Sequence, residues 1–138
     1  MNPELKRILL VEDDPDIQFV ASMALQRKGG FQIKICRSGV EALAEAPAFA
    51  PDLILMDVMM PHMDGPSTLA ALRQDPRTAS VPVVFLTAKV QPQEVGRYKE
   101  MGALDVILKP FNPMTLAQDV RILWNQHCSD RIKKESEP

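Results

Sequence analysis

Short apolar runs and amphipathic stretches alternate along this chain in a regular order. The runs are Ile8–Val11, Phe31–Cys36, Leu53–Met56, Val81–Leu86 and Val106–Leu108. The segments between them carry helical periodicity, so the pattern predicts five strand–helix units around a parallel sheet. Four of the runs are nearly continuous hydrophobes, as expected of strands covered by helices on both faces. The exception, Gln32-Ile33-Lys34-Ile35, alternates polar with apolar and predicts an edge strand.

The helices carry their own punctuation. Asp14-Pro15 reads as cap and first residue of helix one. Its apolar stripe is Ile17, Val20, Ala21, Ala24 and Leu25, and Gly29-Gly30 ends it. Ser38 and Glu41 match a capping box for a short second helix, which Pro47 is expected to stop. A third helix runs from about Pro66 to Arg73. A fourth runs from near Pro92 to Gly102, with Gly96 weakening it by roughly 1 kcal/mol relative to Ala. The fifth begins with Asn112 as cap and Pro113 behind it, and it buries Leu116, Val120, Leu123 and Trp124. The chain then turns polar, so residues 129–138 are expected to form a frayed tail or linker beyond one domain spanning 1–128.

Right-handed crossovers leave few ways to wind five such units. The flavodoxin-like, doubly wound order 2-1-3-4-5, with five helices, puts the alternating second strand at an edge. In that order a crevice opens at the carboxyl ends of strands one and three. Glu12-Asp13-Asp14 follows strand one and Asp57 follows strand three, while Thr87 ends strand four and Lys109 ends strand five. Four strands therefore bring carboxylates, a hydroxyl and an ammonium to one rim. Two carboxylates roughly 4 Å apart repel by on the order of 4 kcal/mol at an effective dielectric of about 20. Either one keeps its proton or a cation sits between them. A water-open site of few carboxylates facing an incoming phosphate suits Mg²⁺. An aspartate beside the metal can attack phosphorus and form an acyl phosphate. Catalysis then consists of alignment and of neutralising three equatorial oxygens, with Lys109 and Thr87 each taking one.

Composition narrows the classes. The 138 residues are 46% hydrophobic and 25% charged, which suits a packed core. A net charge of −2 leaves no electrostatic footprint for nucleic acid or an anionic membrane. No apolar run reaches membrane-spanning length, and Met1–Arg7 lacks the apolar stretch of a secretory signal. Cys36 and Cys128 show neither metal-ligand nor CxxC spacing, so a reduced, cytoplasmic protein is expected, with Cys36 in the core and Cys128 exposed. His62 and His127 read as solvated bystanders, Asp14 as a cap and Asp64-Gly65 as turn chemistry. Met56 reads as core, with Met59, Met60 and Met63 flanking the loop.

Five segments in this order and spacing are far more specific than any one alone. They are Ile8-Leu-Leu-Val-Glu-Asp-Asp, Leu53-Ile-Leu-Met-Asp57-Val-Met-Met-Pro61-His-Met-Asp64-Gly65, Pro82-Val-Val-Phe-Leu-Thr87-Ala88, Gly102-Ala and Lys109-Pro110-Phe111. From about residue 6 to 127 the chain resembles the receiver domains of bacterial response regulators. The resemblance implies Asp57 as phosphoacceptor, Asp13 and Asp57 as Mg²⁺ ligands, Glu12 acting through water, and the Met59 carbonyl as a further ligand. It implies that Thr87 and Lys109 contact the phosphoryl group and that Lys109–Pro110 is cis. The implied partners are a sensor histidine kinase or His phosphotransfer domain and a downstream protein target, with dimerisation through helices four and five open. Such a domain is a signalling switch that assists its own phosphorylation and dephosphorylation.

Two departures bear on that expectation. The family usually has an aromatic residue three positions before the lysine, where this chain has Val106, leaving Tyr98 or Phe111 to substitute by packing. Met59 and Lys89 occupy the places where the family tunes acyl-phosphate lifetime, and an apolar residue at 59 predicts a long-lived phosphoryl state. Haloacid-dehalogenase-like phosphatases share the Asp, Mg²⁺, hydroxyl and Lys set, but they need a second Asp two residues after the nucleophile. Met59 stands there and cannot donate a proton. A nucleotide-binding module is disfavoured because the first loop is Glu-Asp-Asp-Pro-Asp rather than rich in Gly, Ser or Thr.

Overall fold

The computed structural model describes residues 3–88 and 91–135. Strands β1 (Arg7–Val11), β2 (Gln32–Cys36), β3 (Leu53–Asp57), β4 (Val83–Thr87) and β5 (Asp105–Leu108) alternate with helices α1 (Pro15–Gly29), α2 (Gly39–Phe49), α3 (Gly65–Gln74), α4 (Pro92–Glu100) and α5 (Leu116–Glu135). All pairings are parallel and the order is β2-β1-β3-β4-β5, as expected. β2 lies at an edge with two exposed and two half-buried residues, whereas every residue of β3 and β4 is buried.

Period-two alternation sorts the strand side chains into two cores. Ile8, Leu10, Leu53, Leu55, Val84 and Leu86 face Ala21, Leu25, Leu116, Val120 and Trp124 of α1 and α5. Leu9, Val11, Ile54, Met56, Val83 and Phe85 face Ala42, Ala46, Leu69, Leu72 and Tyr98 of α2, α3 and α4. Each fully buried Leu, Ile or Phe contributes about 1.5–3 kcal/mol, so the central strands are the most firmly held part of the molecule. Glu12, Asp57 and Thr87 stand at the ends of those strands, and Lys109 follows the edge strand β5.

Several details differ from the sequence expectation, each for a physical reason. Pro47 does not stop α2; it sits in the last turn, and the helix closes at Ala50, whose left-handed backbone lets its N–H reach the Ala46 carbonyl. Regular α5 begins at Leu116 rather than at Pro113, because Asn112 first caps a turn through bonds from Met114, Thr115 and Leu116. The same helix continues to Glu135 instead of fraying after Ser129, since Arg, Ile, Lys and Glu are compatible with a helix and no Gly or Pro intervenes. Cys128, expected at the surface, is buried against the α1–α5 core, and Val20, expected in the buried stripe, remains exposed. Met60 is buried rather than lining the loop. His127 is half-buried rather than solvated. Cys36 is fully buried as expected.

Candidate functional site

Each residue of the rim is placed by the end of a strand. The Glu12 N–H donates to the Cys36 carbonyl at 3.0 Å, extending the β1–β2 ladder by one residue. Asp57 closes β3 beside Leu86, and the next residue, Val58, donates to the Leu86 carbonyl at 2.9 Å. Thr87 closes β4 opposite Leu108, and the Lys109 N–H donates to the Thr87 carbonyl at 2.7 Å. Lys109–Pro110 is cis, as expected.

The side chains converge. Lys109 Nζ lies 3.1 Å from Glu12 Oε1 and 3.2 Å from Asp57 Oδ2, bridging two buried carboxylates. One carboxylate oxygen from each of Glu12, Asp13 and Asp57 falls within 4.8 Å of the others. Asp13 is the more open of the three, and its backbone N–H donates to Glu12 Oε2 at 3.0 Å. The Met59 N–H donates to Asp57 Oδ1 at 3.3 Å, so the segment after β3 folds back over the Asp57 carboxylate. The Met59 side chain is 77% exposed, which limits how far it can shield the site. Thr87 is buried at the same end of the sheet. Lys89 lies outside the described residues.

Electrostatics follow from that crowding. Burial pushes Glu12 up from 4.5 to about 8, the hydrogen bond and negative charge of Asp57 add to the rise, and Lys109 opposes it. For Lys109, burial acts downward, but its bonds and charge contacts with Glu12 and Asp57 prevail and raise it. The cluster therefore holds more negative charge than Lys109 alone can balance. Hard oxygen donors at this spacing, with no thiolate or imidazole among them, fit a small divalent cation.

Two positioning residues were not legible as such in the sequence. In the sequence Gly65 shows only turn chemistry, yet a Cβ there would lie 2.6 Å from the Asp57 carbonyl and 3.0 Å from Val58 Cα. Its N–H donates to Val58 O at 2.9 Å, so α3 starts in direct contact with the strand end that carries Asp57. The Gln18 amide donates to the Glu12 carbonyl at 2.6 Å, tying α1 to the acidic loop. Asp14 is the cap it was expected to be, accepting from Asp16 N and Ile17 N.

The family model for the response regulator receiver domain matches residues 8–121. The chain belongs to that family. As a receiver domain it is a phosphoacceptor module of two-component signalling. It is 37% identical over 128 residues to the DNA-binding dual master transcriptional regulator RpaA of Synechocystis, covering 93% of this chain and 52% of that protein. It is 38% identical over 121 residues to the DNA-binding response regulator MtrA of Mycolicibacterium smegmatis, covering 88% of this chain and 51% of that protein. The chain thus spans about half the length of these curated relatives. Among solved structures it is similar to the Vibrio cholerae chemotaxis response regulator CheY4, with a TM-score of 0.80 and 32% identity, covering 87% of this chain and 99% of that one. No helix among the described residues is long and apolar enough to cross a membrane.

Proposed function

We propose that Asp57 is the phosphoacceptor and that Glu12, Asp13 and Asp57, with the Met59 carbonyl, hold Mg²⁺. The observation carrying this reading is the double contact of Lys109 Nζ with Asp57 and Glu12, set against three carboxylates within 4.8 Å. Bound there, Mg²⁺ would offset the carboxylate charge and polarise a phosphoryl oxygen. The Asp57 oxygen attacks phosphorus, the P–N bond of a phosphohistidine donor breaks, and the imidazole leaves with its electron pair. Lys109 exchanges its contact with Asp57 for one with a phosphoryl oxygen, and the Thr87 hydroxyl donates to another. The domain assists its own phosphorylation and dephosphorylation in this way without acting on a separate substrate.

The donor is a sensor histidine kinase or a His phosphotransfer domain, and the reader is a downstream protein rather than nucleic acid or membrane, in a cytoplasmic setting. Output runs through the face of α4, β5 and α5, which also offers a surface for homodimerisation. The Tyr98 ring stands edge-on to Phe85, with centroids 5.1 Å apart, in the same cluster as Val106. Tyr98 therefore fills the aromatic role that Val106 leaves vacant, relaying the state of Thr87 from β4 to α4.

The decisive experiment incubates wild type and Asp57→Asn with acetyl phosphate and Mg²⁺ and weighs both by intact-protein mass spectrometry. A gain of one phosphoryl group in the wild type alone is expected. A gain in both proteins, or in neither, refutes the assignment.

A further inference from the structure

At the opposite end of the sheet, where β4 and β5 begin, a cavity of about 300 Å³ opens between α3, α4 and α5, lined by Arg73, Ser80, Lys99, His127 and the 102–104 turn. It lies about one strand length, roughly 15 Å, from Asp57. Its charge does not follow from the chain as a whole, which is net acidic.

The Arg73 guanidinium is held by carbonyls alone: Val81 O at 2.8 Å, Thr78 O at 3.4 Å and Gly102 O at 3.1 Å. No carboxylate forms an ion pair with it among the described residues, and burial lowers its proton affinity. Lys99 meets one acid, Asp105, at a loose 3.8 Å. His127 Nε2 is buried and has no hydrogen-bond partner among the described residues. Burial lowers the His127 pKa, Arg131 and Arg73 lower it further, and Asp130 opposes them. A half-buried guanidinium with no counterion among the described residues, beside an imidazole nitrogen equally unpartnered there, is an arrangement that a bound anion would complete.

We infer that this cavity binds a small phosphate-type oxyanion, held by the Arg73 guanidinium, the Lys99 ammonium, the Ser80 hydroxyl and the His127 imidazole. Guanidinium and ammonium supply charge-assisted bonds, with Arg73 offering the N–H groups that its three carbonyl partners leave over. The ligand would join the end of α3, the α4–β5 turn and α5, three segments that the chain links only through loops and the sheet.

The test is an amide NMR titration of the full chain with inorganic phosphate, at fixed ionic strength and in EDTA so that the Asp57 end holds no metal. A second arm uses a hexose phosphate. Saturable shifts are expected at Ser80, Gly102, Ala103, Leu104 and His127, with Asp57 and Lys109 unmoved. Tighter binding of inorganic phosphate would identify the free ion as the ligand, and tighter binding of the hexose phosphate a phosphorylated small molecule. Lys99→Gln, at an exposed position, and His127→Phe should each weaken binding by about fivefold, one charge-assisted bond apiece. Arg73 is left intact because it also clamps three backbone carbonyls. Shifts that stay linear, spread over the surface, appear only near Asp57, or persist unchanged in Lys99→Gln would overturn the inference.

Discussion

Glu12 should make the metal-free protein lose stability as pH rises, against the common behaviour of a paired carboxylate. Its folded pKa is raised from 4.5 to about 8. The stabilisation linked to its proton is therefore fully present below pH 4.5 and is lost as pH climbs through about 8. At about 1.4 kcal/mol per tenfold change in proton affinity, that interval has a ceiling of about 5 kcal/mol. Lys109 can follow the ionised carboxylate, and the crevice admits water, so a loss of about 2 kcal/mol between pH 5.5 and 8.5 is expected. Lys109 itself is raised above 10.5 and titrates beyond this window. His127, held below 6.5, acts with the opposite sign: the stability its burial costs is regained as pH rises toward 6.5. Glu12→Gln removes the Glu12 contribution alone, so the difference between the two proteins isolates it. Urea denaturation in EDTA at pH 5.5, 6.5, 7.5 and 8.5 measures that difference. Adding Mg²⁺ at pH 8.5 should restore stability to the wild type, because a cation binds the ionised form. Parallel profiles for wild type and Glu12→Gln across the range would show that burial and Asp57 do not perturb Glu12.

Other perturbations test separate links. Gly65→Ala drives a Cβ into the Asp57 carbonyl and should cost about 1–3 kcal/mol in urea midpoint terms, with slower phosphorylation by acetyl phosphate; an unchanged midpoint would mean that α3 moves aside freely. Tyr98→Ala removes the ring packed on Phe85 and should cost about 3–5 kcal/mol, whereas Tyr98→Phe should cost little if packing is the dominant role. Thr87→Ala should slow phosphoryl transfer by about 10²-fold or more in stopped-flow measurements while leaving the fold intact, as expected for loss of one donor to developing charge. Phosphorylated Asp57 should persist well beyond seconds by mass spectrometry, and Met59→Asn should shorten that lifetime by admitting and orienting water; decay within seconds in the wild type would show that Met59, 77% exposed, does not shield the site.

What the sequence determined by itself is the arrangement of strands and the residues at their ends. Binary patterning is local: four continuous apolar runs and one alternating run identify buried and edge strands, crossover handedness leaves few orders, and the observed one places the alternating strand at an edge. Glu12, Asp57, Thr87 and Lys109 are legible because each directly follows or closes a strand, so topology alone carries them to one rim. Caps such as Asp14 and Ser38 are equally local and were equally legible. Tertiary structure decided what depends on approach between distant segments. Gly65 matters because of the Asp57 carbonyl, not because of its own turn, and Gln18 because α1 sets its amide against the acidic loop. Cys128 and His127 are buried or half-buried because α5 leans on the α1 core, on Pro3 through the Trp124 indole, and on the Arg73 region. Composition marked that segment as polar, but burial is set by what packs against a residue, and those partners lie far away along the chain, Pro3 being 121 positions from Trp124.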